Sequence, residues 1–175
     1  MAVGNLEFIK SVNGAGASSV SITDIFSTNY DVYQIFYHVV SDSGSPKGVN
    51  LRFLDSSDNA ITNTNYDYAF LQVESDGGSN EYKNTGQAQM TDILGYTDFT
   101  PEGCSGNFYI FNPFSSSSYS FITQQSSVAW NNARASFKGI GVLKETTSCT
   151  GANIFLTSTN ITSASKFAVY GLASN

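Results

Sequence analysis

One histidine, two cysteines, fourteen carboxylates and eight basic side chains are all the reactive groups that 175 residues offer besides hydroxyls and amides. His38 is the one side chain whose ordinary titration range suits a general base near neutrality. It lies inside Val32–Val40, read V-Y-Q-I-F-Y-H-V-V, so the competing reading is a histidine satisfied within, or facing the edge of, a sheet. No G-x-S-x-G turn presents a serine nucleophile, and no Gly-rich loop of the Walker type cradles a phosphate. Paired carboxylates hydrolyse glycosides when two face each other across a cleft. The close pairs here, Asp55 with Asp58, Glu74 with Asp76 and Asp98 with Glu102, sit in runs whose composition makes turns. No residue is assigned a catalytic role.

Metal and redox chemistry have little material. A structural His/Cys zinc site takes four such ligands and a catalytic one three, and one His with two Cys leaves almost no material for either. The loops Asp55–Asp58 and Glu74–Glu81 carry the oxygen ligands that calcium takes, but neither has the EF-hand spacing. The expectation is no metal and no cofactor. Cys104 and Cys149 each lie in a polar, Gly-containing stretch. Joined, they close a loop of about 45 residues and contribute ~4 kcal/mol on chain-entropy grounds. Unjoined, they are two loop thiols, as a reducing site of synthesis favours. The opening Met1–Glu7 has neither the basic nor the apolar region of a secretory signal, so a bridge is expected to form only outside a cell.

Aromatic side chains are the remaining candidates. Tyr30, Tyr33, Tyr66, Tyr68, Tyr82, Tyr96 and Tyr119 could stack on sugar rings, as they do in carbohydrate-binding sandwiches. In strands, tyrosine more often buries its ring and keeps the hydroxyl at the rim. The spacing does not separate a sugar platform from core packing or a subunit contact.

These groups must be carried by strands. Only 13% of residues are charged and the chain holds 13 Phe, 10 Tyr and 15 Gly, a mixture that suits pleated surfaces and turns better than helices. Val49, Leu51 and Phe53 alternate with polar residues, as do Tyr66, Tyr68 and Phe70, giving the period of two of a half-buried strand. The segment 32–40 is apolar in both parities around Ile35, Phe36 and Tyr37, which predicts a central strand covered on both sides. Further strands are expected near 20–26, 88–95, 107–112, 118–125, 135–144, 152–158 and 165–172. The stretch 84–94 is the one place where a helical turn could sit. Ser43–Pro46, Asp55–Asn59, Ser75–Asn80 and Asn112-Pro113 supply turn chemistry between them.

Ten or eleven short strands make an all-β, antiparallel two-sheet sandwich, and the length favours a jelly-roll-like arrangement over an immunoglobulin-like one. Composition is even from 1 to 175, so one domain is expected. Residues 1–16 are either an N-terminal arm or the first strand. A net charge of −6 with scattered cations makes nucleic acid a poor partner. No window approaches the ~18 apolar residues of a membrane-spanning helix.

Several segments carry a resemblance. They are Leu6-Glu7-Phe8-Ile9 before a Gly-rich turn, Leu51-Arg52-Phe53-Leu54-Asp55, Tyr66-Asp67-Tyr68-Ala69-Phe70, Gly106 to Pro113, and the closing Lys166-Phe167-Ala168-Val169-Tyr170-Gly171-Leu172. In this layout the chain resembles virion structural proteins of tailed bacteriophages, many from marine and cyanobacterial phages. The resemblance implies a virion component, most simply a capsid decoration or cement subunit, made in the host cytoplasm without a signal peptide. Its partners would be other virion proteins, the major capsid protein or tail proteins, and further copies of itself in a homo-oligomer such as a trimer. A tail- or fibre-associated protein, or a carbohydrate-binding module meeting host glycans, is the alternative. No catalytic or cofactor residues carry over.

Overall fold

Alternation of apolar and polar side chains sets the strands, and the computed structural model describes them over residues 5–98, 100–130 and 133–173. In chain order they are β1 Leu6–Asn13, β2 Ser19–Ile22, β3 Val32–Val39, β4 Lys47–Leu54, β5 Tyr66–Glu74 and β6 Ser79–Gln87. There follow β7 Tyr96–Thr97, β8 Cys104–Phe111, β9 Ser120–Trp130, β10 Ala133–Leu143, β11 Gly151–Leu156 and β12 Lys166–Leu172. No helix occurs among the described residues.

Two antiparallel sheets result. The larger has eight strands in the order β1-β12-β3-β8-β9-β10-β5-β6, and the smaller has four, β2-β11-β4-β7. Setting aside β1, β12 and the hairpin β9–β10 leaves β3-β8-β5-β6 facing β2-β11-β4-β7. That is the eight-stranded, two-sheet order of a jelly roll. Because a hairpin adds two strands, its insertion between β8 and β5 preserves their antiparallel relation. The sandwich expectation and its jelly-roll character hold.

The core lies between the sheets. Tyr33, Ile35, Tyr37 and Val39 of β3, Phe108 and Ile110 of β8, and Phe137 of β10 meet Val49, Leu51 and Phe53 of β4 and Ile154 of β11 in one buried cluster. Tyrosine hydroxyls here find backbone partners, as buried phenols must. Tyr37 Oη donates to the Leu94 carbonyl at 2.8 Å, and Tyr66 Oη links the two sheets through Phe53. Gly151 is needed where β11 runs beside β2, since a Cβ there would stand 2.1 Å from the Ile22 carbonyl oxygen.

Three expectations change in detail, and the alternative left open for residues 1–16 is decided. Residues 88–95 form neither a regular strand nor a helical turn. They follow the edge of β4 through one bridge, Leu51 with Met90, before Asp92 and Gly95 turn the backbone left-handed at φ 57° and 103°. Residues 79–87 form an edge strand where the Ser75–Asn80 turn and the start of the helical-turn candidate 84–94 were expected, because Tyr82 is the single apolar side chain in it. The segment within 1–16 forms β1, paired to β12 with a bulge between Phe8 and Lys10; such a bulge blunts an open edge. Finally, β3 is covered by the small sheet on one side only, although neighbouring side chains bury Gln34 on its outer side. Its Phe36 is 41% exposed on the face turned away from the small sheet.

Candidate interaction surface

Strand register builds this outer face. One outward row runs across all eight strands of the large sheet: Phe8, Tyr170, Gln34, Tyr109, Thr123, Ile140, Ala69 and Lys83. Toward one end of the sheet the next row holds Val32, Phe111, Phe121 and Val142, with Leu6 opposite Leu172. Toward the other end, past Phe36, Asn107, Gln125, Lys138 and Leu71, a further row is Asn13, Lys166, His38, Ser105, Ser127, Ser136 and Val73. The face therefore grades from apolar to polar along the strands. With ~4.8 Å between neighbours, eight strands make a band about 34 Å wide.

Exposure on this face is high. Phe8 is 60% exposed, Ile140 61%, Phe121 45% and Tyr109 39%. Taking ~200 Å² for an aromatic side chain and somewhat less for an aliphatic one, the nine exposed outer-face side chains, from Leu6 to Leu172, present on the order of 700 Å². Phe8 and Phe36 both set their rings edge-on to Tyr170, at 5.6 and 5.8 Å. Two shallow grooves of about 480 and 770 Å³ adjoin each other here and share Ala69, Lys83, Thr123 and Ile140. Lys138 and Tyr109 flank the first, Phe111 and Phe121 the second. Among the described residues the one ion pair is Lys144 with Asp67 at 2.9 Å, so neither Lys83 nor Lys138 is so engaged.

The outside of the small sheet is different. Its outward rows are Ser21, Asn153 and Arg52, then Ser19, Phe155 and Asn50. Their amides are used locally: Asn153 donates to Ser21 Oγ and Asn50 to the Phe155 carbonyl. The Phe155 ring is capped by the Arg52 guanidinium 4.5 Å from its centroid. That guanidinium also donates to the Ala88 carbonyl and to Gln89 Oε1. One face is closed off by its own polar groups, and the other is open and apolar.

The residues singled out from the sequence are dispersed over this frame. His38 is half-buried on the polar row, and its Nδ1 stands 2.8 Å from Ser105 Oγ. Asp55 Oδ1 accepts the Ser57 and Asn59 amides, and Asp58 Oδ1 the Thr150 hydroxyl. Asp98 Oδ1 accepts the Thr100 amide and hydroxyl. Glu74 accepts from Gln72, and Asp76 from the Gly78 amide. These carboxylates tie turns together. No cluster of three His, Cys, Asp or Glu capable of holding a metal occurs among the described residues.

Cys104 and Cys149 are both buried free thiols, Cys104 opening β8 and Cys149 lying in the loop before β11. Cys104 lies beside Val128 of β9, whereas Cys149 lies beside Ser120 at the other end of that strand. Eight residues of strand separate those neighbours, ~26 Å at ~3.3 Å per residue, while a disulfide needs Cα atoms within ~7 Å. Burial pushes the Cys149 thiol up to about 12 and that of Cys104 higher. Of the tyrosines proposed for stacking, Tyr33, Tyr66 and Tyr68 are buried in the core, and Tyr82 and Tyr119 are exposed. Tyr30 donates to Glu7. Phe8, Phe36, Tyr109 and Phe121 make the exposed aromatic face instead. A signal for them exists in the sequence: Phe108–Phe111 and Ile35–Tyr37 are apolar in both parities, although one sheet face can use only one.

No family model matches this chain, and no curated protein does either. Among solved structures, a subunit of the disulfide-linked pili of Bacillus endospore appendages is 13% identical over 99% of this chain and 96% of that one, at a TM-score of 0.24. A family 7 alginate lyase in complex with substrate is 13% identical over 94% of this chain and 66% of its own, at 0.21. The protein of the infectious bursal disease virus subviral particle is 11% identical over 95% and 42%, at 0.16. Likeness this low carries no functional argument.

Proposed function

We propose that this protein is a structural component without enzymatic activity, which works by contact between folded surfaces. In this reading it is a phage virion protein, a decoration or cement subunit that binds the shell beside other virion proteins. The observation that carries the contact reading is the open apolar face of the large sheet. Soluble monomers rarely expose a contiguous apolar patch beyond about 300–600 Å², and larger ones mark interaction sites. The virion assignment itself is supported by the sequence resemblance over 6–9, 51–55, 66–70, 106–113 and 166–172.

Density-gradient banding of particles from cells expressing a tagged copy tests it. The tagged chain is expected to band with the particles and to survive a high-salt wash. A chain that stays at the top of the gradient overturns the virion reading.

The shallow grooves favour a second reading, contact with a glycan. Lys83 and Lys138 stand beside Tyr109 and the amides of Asn107 and Gln125, a combination that can stack on and hydrogen-bond sugar rings. Binding to a glycan array, abolished by Tyr109→Ala, would support that reading; silence on the array removes it.

A further inference from the structure

We infer that the outer face of the eight-stranded sheet is covered by the same face of a second copy of this chain. This rests on the contact reading above and names its partner.

Three observations point to a copy. The first is area. The exposed apolar side chains present on the order of 700 Å², against the ~800 Å² per partner that a stable specific interface buries. The second is composition. Phe8, Phe36, Tyr109 and Phe121 dominate the face; its charges are Lys83, Glu81, Lys166 and Arg134 at the margins, Asp67 beside Val142 and paired with Lys144, and Lys138. Aromatic enrichment with charge depleted at the centre is the signature of an interface core. The third is the sequence itself. Residues 32–39 have the pattern of a strand buried on both sides, yet the small sheet covers only one, leaving Phe36 to solvent.

Matching apolar rows under a two-fold axis then selects the arrangement. A face that packs on itself makes an isologous contact, closed at two copies. A two-fold axis lying between the two faces, parallel to the strands and passing between β8 and β9, preserves position along the strands. It lays the apolar row of Phe111, Phe121 and Val142 against the same row of the partner copy, and the serine row against serines. Sheets packed this way stand ~10 Å apart. Tyr109 and Phe121 then lie near the centre, and Val73 lies toward the rim.

Sedimentation equilibrium over a concentration series, with wild type and three variants, tests this. Wild type is expected at twice the 18.8 kDa chain mass. Phe121→Lys is expected to weaken association at least ~30-fold, as removal of a central hot spot does, and Val73→Lys much less. Ser21→Lys, on the outside of the small sheet, is expected to leave it unchanged. All four proteins should keep the same circular dichroism, since each altered side chain is exposed. The inference is overturned by a wild type that remains at 18.8 kDa at the highest concentration, or by Phe121→Lys staying dimeric. Glycan binding by a monomeric wild type, lost in Tyr109→Ala, would also overturn it and assign the face to a sugar. The two readings fail separately. A monomeric wild type that still bands with particles removes the dimer alone, and a dimer that never bands with particles removes the virion assignment alone.

Discussion

Tyr66→Phe removes one of the hydroxyls that stitch the two sheets together, the Thr97 hydroxyl of β7 reaching the Val39 carbonyl of β3 being another. Tyr66 belongs to β5 of the large sheet and is fully buried. Its Oη accepts the backbone N–H of Phe53, in β4 of the small sheet, at 3.0 Å and donates to the Ile61 carbonyl at 3.1 Å. Removing the oxygen leaves the ring in place, so packing is retained and the change is one of hydrogen bonding. The Phe53 amide then has no acceptor, at a cost of about 1–3 kcal/mol for a buried orphaned donor. A carbonyl with a second lone pair tolerates the loss better, so the total should be ~2 kcal/mol. In a domain of this size each kcal/mol moves the thermal midpoint by ~2–4 °C, which predicts a fall of ~4–8 °C. Differential scanning calorimetry reads it, with Tyr109→Phe as a control whose exposed hydroxyl should matter by less than ~0.5 kcal/mol. A midpoint for Tyr66→Phe as little changed as the control's would refute the idea that inter-sheet hydroxyls hold this sandwich.

Other perturbations follow from the same bonds and burial. Asp92 lies over Gly48, where a Cβ would overlap its carboxylate, and accepts the Tyr96 hydroxyl at 3.0 Å. Burial raises its pKa, so it favours the folded state when protonated, and that contribution is lost as pH rises through its folded pKa. Asp92→Asn, which tolerates the same left-handed backbone, should raise the unfolding midpoint at pH 7 and gain little at pH 3; a lower midpoint at pH 7 contradicts this. Asp42 behaves oppositely. Bonds from the Thr159 hydroxyl and the Asn160 amide and side chain depress its pKa to about 2, so its contribution is present above the ordinary carboxylate value and lost as pH falls toward 2. Asp42→Asn should flatten the midpoint–pH curve between about pH 4 and pH 2, and an unchanged slope would count against the bonding described. The buried thiols of Cys104 and Cys149 should resist iodoacetamide at pH 8 in the folded protein and react in urea, read by intact mass. Rapid native labelling of either would show that its end of the core opens.

Much of the fold was legible because burial on one face writes itself into the chain with a period of two. Val49-Leu51-Phe53 and Tyr66-Tyr68-Phe70 are inward series of opposite sheets, and the turn residues between them end where the strands end. Legibility failed where burial and polarity part company. The inward series of β9 includes Ser120, Gln124 and Ser126, so its second half looks like an exposed loop. β6 is held by its backbone, one tyrosine stacked 4.8 Å from Phe70 and the Asn84 amide on the Tyr68 hydroxyl, and no pattern marks it. In 88–95 a strand-like composition is bent by Asp92, held by the Asn50 side chain forty-two residues away. The outer face was half visible. Phe36, Tyr109 and Phe111 break the alternation, but the register that aligns them with Phe8, Phe121 and Ile140 comes from pairing between strands distant in sequence.

Covalent footprinting with a photoreactive carbene, read by peptide mass spectrometry, reports directly where contact occurs. Dilute protein is to be compared with the concentrated assembly and with washed particles. Phe8, Phe36, Tyr109, Phe121 and Ile140 should be labelled in dilute protein and shielded in the assembly, while Ser19 and Ser21 on the other sheet stay labelled throughout. Equal labelling of the aromatic face in all three samples would contradict a protein that acts through that surface.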